Sequence, residues 1–216
     1  AGLLAGAFTG FLVARFRIPS MIVTLGMASI ARGLALILTN GTAVYDLPPF
    51  FQFIGQGKVG IIPFPVILAL VLFFVTFAIL RFTRFGTNIY ATGSNEEAAR
   101  LSGINLARVR VAVMTISGVC SAIAGMILAS RLNSGNGTVG TNDNMDAIAA
   151  VVIGGPSLTG GVGTVTGTLI GVLLVASIRN GLNLMAVSAF WQQVAIGGLI
   201  LISVVMDYLT KRRNKS

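Results

Sequence analysis

Two adjacent carboxylates, Glu96 and Glu97, lie just ahead of Arg100 in the polar stretch "ATGSNEEAARLSGIN", residues 91–105. Paired carboxylates can do acid–base work or hold a metal, but the rest of the chain supplies no complement to them. There is no histidine and a single cysteine, Cys120, so the usual proton shuttle and the usual metal-ligand clusters are missing. The other acids, Asp46, Asp143, Asp146 and Asp207, are scattered along segment ends. An intramembrane aspartyl protease needs two carboxylates within helices, whereas Asp143 and Asp146 sit at a segment edge, where Asp146 is predicted to cap a short helix. The glycine-rich stretch "IGGPSLTGGVG" is no nucleotide loop. A P-loop needs Lys and then Ser or Thr after its last glycine, and here Gly161 is followed by Val162 and Gly163. The expectation is a chain with no catalytic residues, metal or cofactor.

A different chemistry suits Glu97-Ala98-Ala99-Arg100-Leu101-Ser102-Gly103, which reads EAAxxxG. Glu and Ala favour a short helix, Ser94 or Asn95 can cap its start, and Gly103 can end it. Such a helix is either a solvated loop with helical propensity or a docking element. Its position between two apolar segments favours docking, with Glu96, Glu97, Ala98, Ala99 and Gly103 as the contact candidates.

The elements that must position it are membrane spans. The chain is 55% hydrophobic and 10% charged, with a mean hydropathy of +0.89, against about 25% charged in an ordinary soluble domain. Charge-free runs cover residues 59–80, 111–130, 147–178 and 180–206, and a helix needs roughly 20 apolar residues to cross a bilayer. The predicted segments are 1–14, 20–39, 61–80, 111–130, 146–155, 164–180 and 188–208, with a polar loop at 81–110. The net charge of +9 flanks these runs, which excludes a nucleic-acid partner and reads as a topology signal. Alternating crossings gather Arg15, Arg17, the 81–110 loop and the tail "KRRNKS" on one side, the cytoplasmic one, with the C-terminus there and Lys58 and Arg131 opposite. Cys120 is core filler. Arg32, the one strong charge well inside an apolar segment, is a functional charge, a snorkelling side chain, or the partner of an acid on another segment. The start, "AGLLAGAFTGFLVARF", lacks Met and the marks of a signal peptide, so further spans are expected upstream.

Two seams repeat. Gly2, Gly6 and Gly10 recur at Gly163, Gly167 and Gly171 with the same spacing, each set leading into an apolar stretch. Glycines every fourth residue line one helix face and admit a second backbone. With the first copy running inward and the second outward, they predict an all-α polytopic membrane fold with inverted-topology repeats. Between them, Gly154, Gly155, Pro156, Gly160 and Gly161 break a helix too short to span. That break is either irregular backbone at membrane depth beside a substrate path or a tight turn at the cytoplasmic surface. In "NGLNLMAVSAFWQQ", residues 180–193, Asn180, Asn183, Trp191, Gln192 and Gln193 carry amides and an aromatic face suited to sugar hydroxyls and a pyranose ring. The same residues also suit interfacial anchoring and bonds between helices. Gln192, Asn183 and Trp191 are the path candidates.

EAAxxxG resembles the cytoplasmic coupling loop of ABC-importer permeases, which inserts into a groove of the ATPase subunit. Together "RFGTNIYATGSNEEAARLSGIN", "DAIAAVVIGGPSLTGGVGTVTGTLIG" and "NGLNLMAVSAFWQQ" resemble the permeases that import ribose, xylose, galactose and related monosaccharides. The resemblance covers nearly the whole chain. One departure is that no proline follows Gly103 before Pro156. The resemblance implies a bacterial inner-membrane transport subunit, not itself an enzyme, that pairs with a second permease subunit. It also implies separate ABC ATPase subunits and a periplasmic sugar-binding protein. A branched-chain amino-acid permease of the same broad type, or an ion-coupled secondary transporter, are the rival expectations. The first would have to compensate ammonium and carboxylate groups, and the second would need buried acids.

Overall fold

The computed structural model of the protein describes residues 1–156 and 160–213, with side chains as far as residue 205. The last three residues of the "KRRNKS" tail, and residues 157–159 of the glycine-rich break, therefore lie outside the described residues, and the side chain of Asp207 is not described. Among the described residues, ten helices carry the fold: α1 Gly2–Phe16, α2 Ser20–Leu38, α3 Pro49–Gln56, α4 Phe64–Phe82, α5 Arg84–Ser94, α6 Glu96–Leu101, α7 Leu106–Leu132, α8 Asp143–Ile153, α9 Val165–Leu184 and α10 Ala189–Arg213. Among the described residues, α2, α4, α7 and α9 are each long and apolar enough to cross a membrane, while α1 and the apolar part of α10, Ala189–Val205, are shorter. The all-α, polytopic expectation holds.

Boundaries follow local chemistry. Prolines at 19, 48 and 63 precede α2, α3 and α4, where a missing N–H and a fixed φ cost the helix nothing. The side chains of Thr83, Asn105 and Thr164 accept from the backbone N–H of Gly86, Arg108 and Gly167 at 3.0–3.2 Å, capping α5, α7 and α9. Within the polar segment 81–110 the expected short helix is α6, and the structure adds α5 and starts α7 at Leu106 rather than 111.

Lipid tails are as apolar as leucine, so helices gain by packing closely rather than by escaping water. The first glycine seam does this between α1 and α7, which run antiparallel. A Cβ on Gly6 would fall 2.5 Å from the Met114 carbonyl oxygen, and one on Gly10 would fall 2.8 Å from Val111 Cα. Gly2 lies against Gly118 and Ala122. The pairing brings Arg17, at the end of α1, beside Arg110 and Glu96 at the start of α7 and of α6. Arg17 and Arg110, two of the basic residues that flank apolar runs, thus lie at one end of the pair.

The opposite end carries an element absent from the sequence reading, α3. It lies on the C-terminal turn of α7, where Gly55 abuts Arg131 and Ser130 is fully buried. The Ser130 hydroxyl accepts the Gly55 N–H at 2.7 Å and lies 2.7 Å from the Phe51 carbonyl, while the Gln56 amide donates to the Ser130 carbonyl at 3.1 Å. Two short antiparallel strand pairs complete this end. β1 Val44–Tyr45 pairs with β4 Ser134–Gly135, and β2 Lys58–Val59 with β3 Ile62–Pro63. Arg32 lies on the exposed face of α2, a helix with no buried residue.

Gly26 of α2 has no atom within 4 Å of its Cβ position, in contrast to Gly6. Overpacking a close seam costs about 1–3 kcal/mol. Gly6→Leu is therefore expected to lower the thermal midpoint of the detergent-purified protein by several degrees, and Gly26→Leu to leave it within error. Fluorescence-detected thermal unfolding compares the two. Equal midpoints would remove the α1–α7 seam as a stabilising contact.

Candidate functional site

α6 is six residues long, and helices so short are marginal alone, so its ends do the work. Asn95 Oδ1 accepts the Ala98 N–H at 3.0 Å, and Glu96 and Glu97 sit in the first turn, toward the positive end of the helix dipole. At the other end Gly103 adopts φ +82°, its N–H donates to the Arg100 carbonyl at 3.0 Å, and the Ile104 N–H reaches the Ala99 carbonyl at 3.1 Å. This double closure is a Schellman motif, and its left-handed position suits glycine. Asn105 then caps α7 immediately. The EAAxxxG pattern thus spells a clamped turn of helix held between two capped neighbours.

Orientation follows from burial. Ala99 is 3% exposed and seats α6 on the chain, and Glu96 is tied to Arg110 of α7. Glu97, Ala98 and Gly103 face outward. The Glu97 carboxylate holds Arg100 at 2.6 Å and, through that hydrogen bond first, raises the guanidinium above its ordinary pKa. Both partners are exposed, so the pair contributes little stability. Leu101, which the sequence reading passed over, is 78% exposed on this polar helix. It is a large apolar side chain on the same outward surface as Glu97, Ala98 and Gly103. Its signal was available in the pattern, since Leu101 is the one large apolar residue between Tyr90 and Ile104.

Beside α6, α5 reaches the glycine-rich break. The Tyr90 hydroxyl donates to the Gly163 carbonyl at 3.0 Å. A Cβ on Gly93 would come 2.6 Å from the Gly161 nitrogen, and one on Gly161 would come 2.5 Å from Ser94 Cα. The break therefore lies at the end of the molecule that holds the polar helices, which favours the surface-turn reading. Gly155 takes φ +92°, and Pro156 folds back until a Cβ on Gly163 would lie 2.9 Å from its own Cβ.

From this turn α8 and α9 rise as an antiparallel hairpin. Gly167 packs on Gly154, and Gly171 on Ala150 and Gly154, so closely that neither admits a side chain. The second glycine seam thus joins a helix pair as the first does. α10 packs on α8, and Ala149, Ala150, Val175 and Ile196 form the buried cluster, with Ile153 and Ile200 beside it. The capping role expected of Asp146 is corrected: Asn142 occupies the cap position, and Asp146 instead grips Arg179 of α9 at 2.7–2.8 Å. The sequence reading missed this pair because its partners are 33 residues apart.

Of the path candidates, the structure brings Asn183 and Gln192 together. The Gln192 amide donates to Asn183 Oδ1 at 2.8 Å and to the Val187 carbonyl at 2.9 Å, closing the α9–α10 turn. Gln192 is buried, whereas Trp191 is exposed beside it. Asn180 is exposed on α9, and Gln193 faces a separate cavity. Among the described residues, no cluster of three or more His, Cys, Asp or Glu side chains has metal-binding geometry.

Four helices long and apolar enough to cross a membrane, with a polar helix pair braced against a glycine hairpin, define a polytopic membrane-protein architecture among the described residues. The chain belongs to the family described as the permease component of the branched-chain amino acid transport system, which it matches over residues 1–204. It is 44% identical over 200 residues to the ribose import permease protein of Bacillus subtilis, covering 92% of this chain and 62% of that one. Against the L-arabinose ABC transporter permease protein of Azospirillum brasilense it is 38% identical over 216 residues, covering all of this chain and 64% of that one. Against the xylose transport system permease protein of Escherichia coli strain K12 it is 36% identical, covering 99% of this chain and 70% of that one. The chain spans just under two thirds of the length of the ribose and arabinose permeases it matches. No solved structure matches it.

If the paired ends lie on opposite faces of the membrane, cysteines placed there will label from opposite sides. In a Cys120→Ala background, Leu101→Cys is expected to react with an impermeant maleimide only in inside-out vesicles, and Asn136→Cys only in intact spheroplasts. Both sites labelling from one side would overturn the alternation.

Proposed function

We propose that the complete protein is the membrane-spanning subunit of an ATP-driven monosaccharide importer in a bacterial inner membrane, with its C-terminus in the cytoplasm. In this reading it forms the translocation path beside a second permease subunit, identical or related. It receives sugar from a periplasmic binding protein and takes its energy from a separate ABC ATPase. It carries out no chemistry of its own and needs no cofactor. The observation that carries the reading is the outward face of α6, with Glu97, Ala98, Leu101 and Gly103 exposed on a helix clamped at both ends. The substrate class follows the relatives, whose names specify ribose, arabinose and xylose. Residues 1–216 make up one permease domain, with residues 81–110 as its coupling segment.

Mechanistically, ATP-driven closure of the ATPase would move α6, and Ala99 and the Glu96–Arg110 pair would pass that motion to α7. α5 would carry it to the hairpin through the Tyr90 hydroxyl and the Gly93–Gly161 contact. Rigid-body displacement of packed helices is the usual form of such switches. Asn183, Trp191 and Gln192 belong in this reading to the wall of the path at the α9–α10 turn. The family description itself supports a second reading, a branched-chain amino-acid permease. Parallel uptake of pentoses and leucine by the complete importer separates the two.

Gly103→Asp, Glu97→Lys and Leu101→Asp are each expected to abolish sugar uptake while the permease stays in the membrane at wild-type abundance. Normal uptake in all three would remove α6 as the docking element. Tyr90→Phe removes one hydrogen bond worth about 1 kcal/mol, so uptake per ATP hydrolysed is expected to fall roughly fivefold. An unchanged ratio would exclude Tyr90 from the coupling route.

A further inference from the structure

The outer part of the hairpin holds a cavity of about 290 Å³ between α8, α9 and α10. Asp146, Arg179 and Gln193 supply its polar side, Ile196 and Ile200 its apolar side, and Gly197 borders it. Arg179 stands five residues before the end of α9, and Asp146 in the first turn of α8. The cavity is thus remote from the end where Tyr90 meets Gly163. We propose that this cavity is a subsite of the transport path for a neutral polyhydroxylated ring, which rests on the importer reading above.

Three observations converge. First, ion pairs inside apolar helices are costly to desolvate and mark substrate paths when they face a cavity. This pair is partly exposed, toward a cavity it helps to line. Second, the guanidinium has five N–H donors in a fixed fork. Asp146 engages one terminal nitrogen, NH2, through both of its oxygens, and Arg179 itself lines the cavity, so a ligand bringing hydroxyl acceptors there meets a guanidinium whose fork the carboxylate does not fill. Third, the intact pair has no net charge. A zwitterionic amino acid would have to part it to reach each charge, whereas a sugar can bridge guanidinium, carboxylate and the Gln193 amide with the pair unbroken. The C–H face of the ring would then rest on Ile196 and Ile200. Gln192 has its amide N–H groups engaged at the α9–α10 turn, so its neighbour Gln193 is the amide available to the ligand.

Gly197 offers a steric test, because no atom lies within 4 Å of its Cβ position. Gly197→Leu can therefore fill the cavity without striking the backbone. The complete permease, assembled with its ATPase and binding protein in proteoliposomes, would be assayed with labelled ribose, arabinose and xylose, and with leucine in parallel. Gly197→Leu is expected to lower pentose uptake at least about tenfold, the loss of roughly 1.4 kcal/mol of binding as the added side chain takes the ring's place, with the complex recovered in wild-type amount. Gly197→Ala is expected to keep most of it. Gln193→Ala is expected to change the ratio of ribose to xylose uptake about fivefold, the worth of one hydrogen bond. A merely structural amide would not move that ratio. Should Gly197→Leu fail to assemble, Gln193→Ala decides alone. Pentose uptake by the wild type with an unchanged rate in Gly197→Leu, or an unchanged ratio in Gln193→Ala, would overturn the subsite while leaving the importer intact. Wild-type protein that moves leucine and none of the pentoses would overturn the importer reading itself.

Discussion

Close approach of backbones through glycine is the constraint on which this structure depends. In water an apolar helix face is driven onto any other apolar face, but among lipid tails that drive vanishes and only contact density distinguishes a helix neighbour from a lipid. The chain exposes much of its large apolar surface, including Leu25, Phe74, Ile170 and Leu173, and these side chains choose no partner. The partners are chosen where side chains are missing. Gly6 and Gly10 bring α1 onto α7, and Gly167 and Gly171 bring α9 onto α8. Each contact removes a Cβ so that main-chain atoms meet, and each holds its pair at a fixed register.

Once those two seams exist, polar groups decide what lies between them. α5 stands against the glycine break with a hydroxyl bonded to a carbonyl and with glycine on both sides of the contact. At the other end of α7, Ser130 closes on α3 with main-chain partners from Phe51 and Gly55. Hydrogen bonds of this kind fix partner and direction, which apolar contacts do not, and Ser130, being fully buried, would leave unpaired polar groups if its partners moved away. Polar contacts therefore mark the joints of the molecule and glycine seams its rigid parts.

This division explains what was legible in the sequence. The seams could be read, since spacing of four along a helix is a local property: Gly6 and Gly10 on α1, and Gly167 and Gly171 on α9, each meet a second backbone, whereas Gly163 precedes α9 and lies against Pro156. The starts of α2, α9 and α10 also fall within a residue of the expected 20, 164 and 188, whereas Asn105 starts α7 five residues before the expected 111. The α6 turn was equally local: Asn95, Glu96 and Gly103 carry its whole plan. The joints were not legible. Ser130 meets residues about 75–79 positions away, and Asp146 meets Arg179 across 33, separations at which spacing carries no information. Asp146 looked like a helix cap because a capping position is the cheapest local use of an acid beside an apolar run. Tertiary pairing with an arginine overrode that preference. α3 escaped for a related reason: "PFFQFIGQ" is apolar enough to be a loop flank or the start of a span, and only its seat on α7 makes it a short separate helix.

The hairpin gains a mechanical meaning from the same reasoning. Two helices joined by open apolar contact can slide, but α8 and α9 are locked in register by Gly154, Gly167 and Gly171 and again by the Asp146–Arg179 bond. In the importer proposed above, a displacement imposed at the Tyr90 contact would be carried to the far end rather than absorbed between the helices. From Val165 to Arg179 that is about 21 Å at 1.5 Å per residue, most of the way across the hydrocarbon. The ion pair and its cavity sit at that far end, and parting the pair would leave two partly buried charges without partners. A ligand bound at the proposed subsite with the pair intact would be felt at the glycine turn, and by linkage the turn would be felt by the ligand.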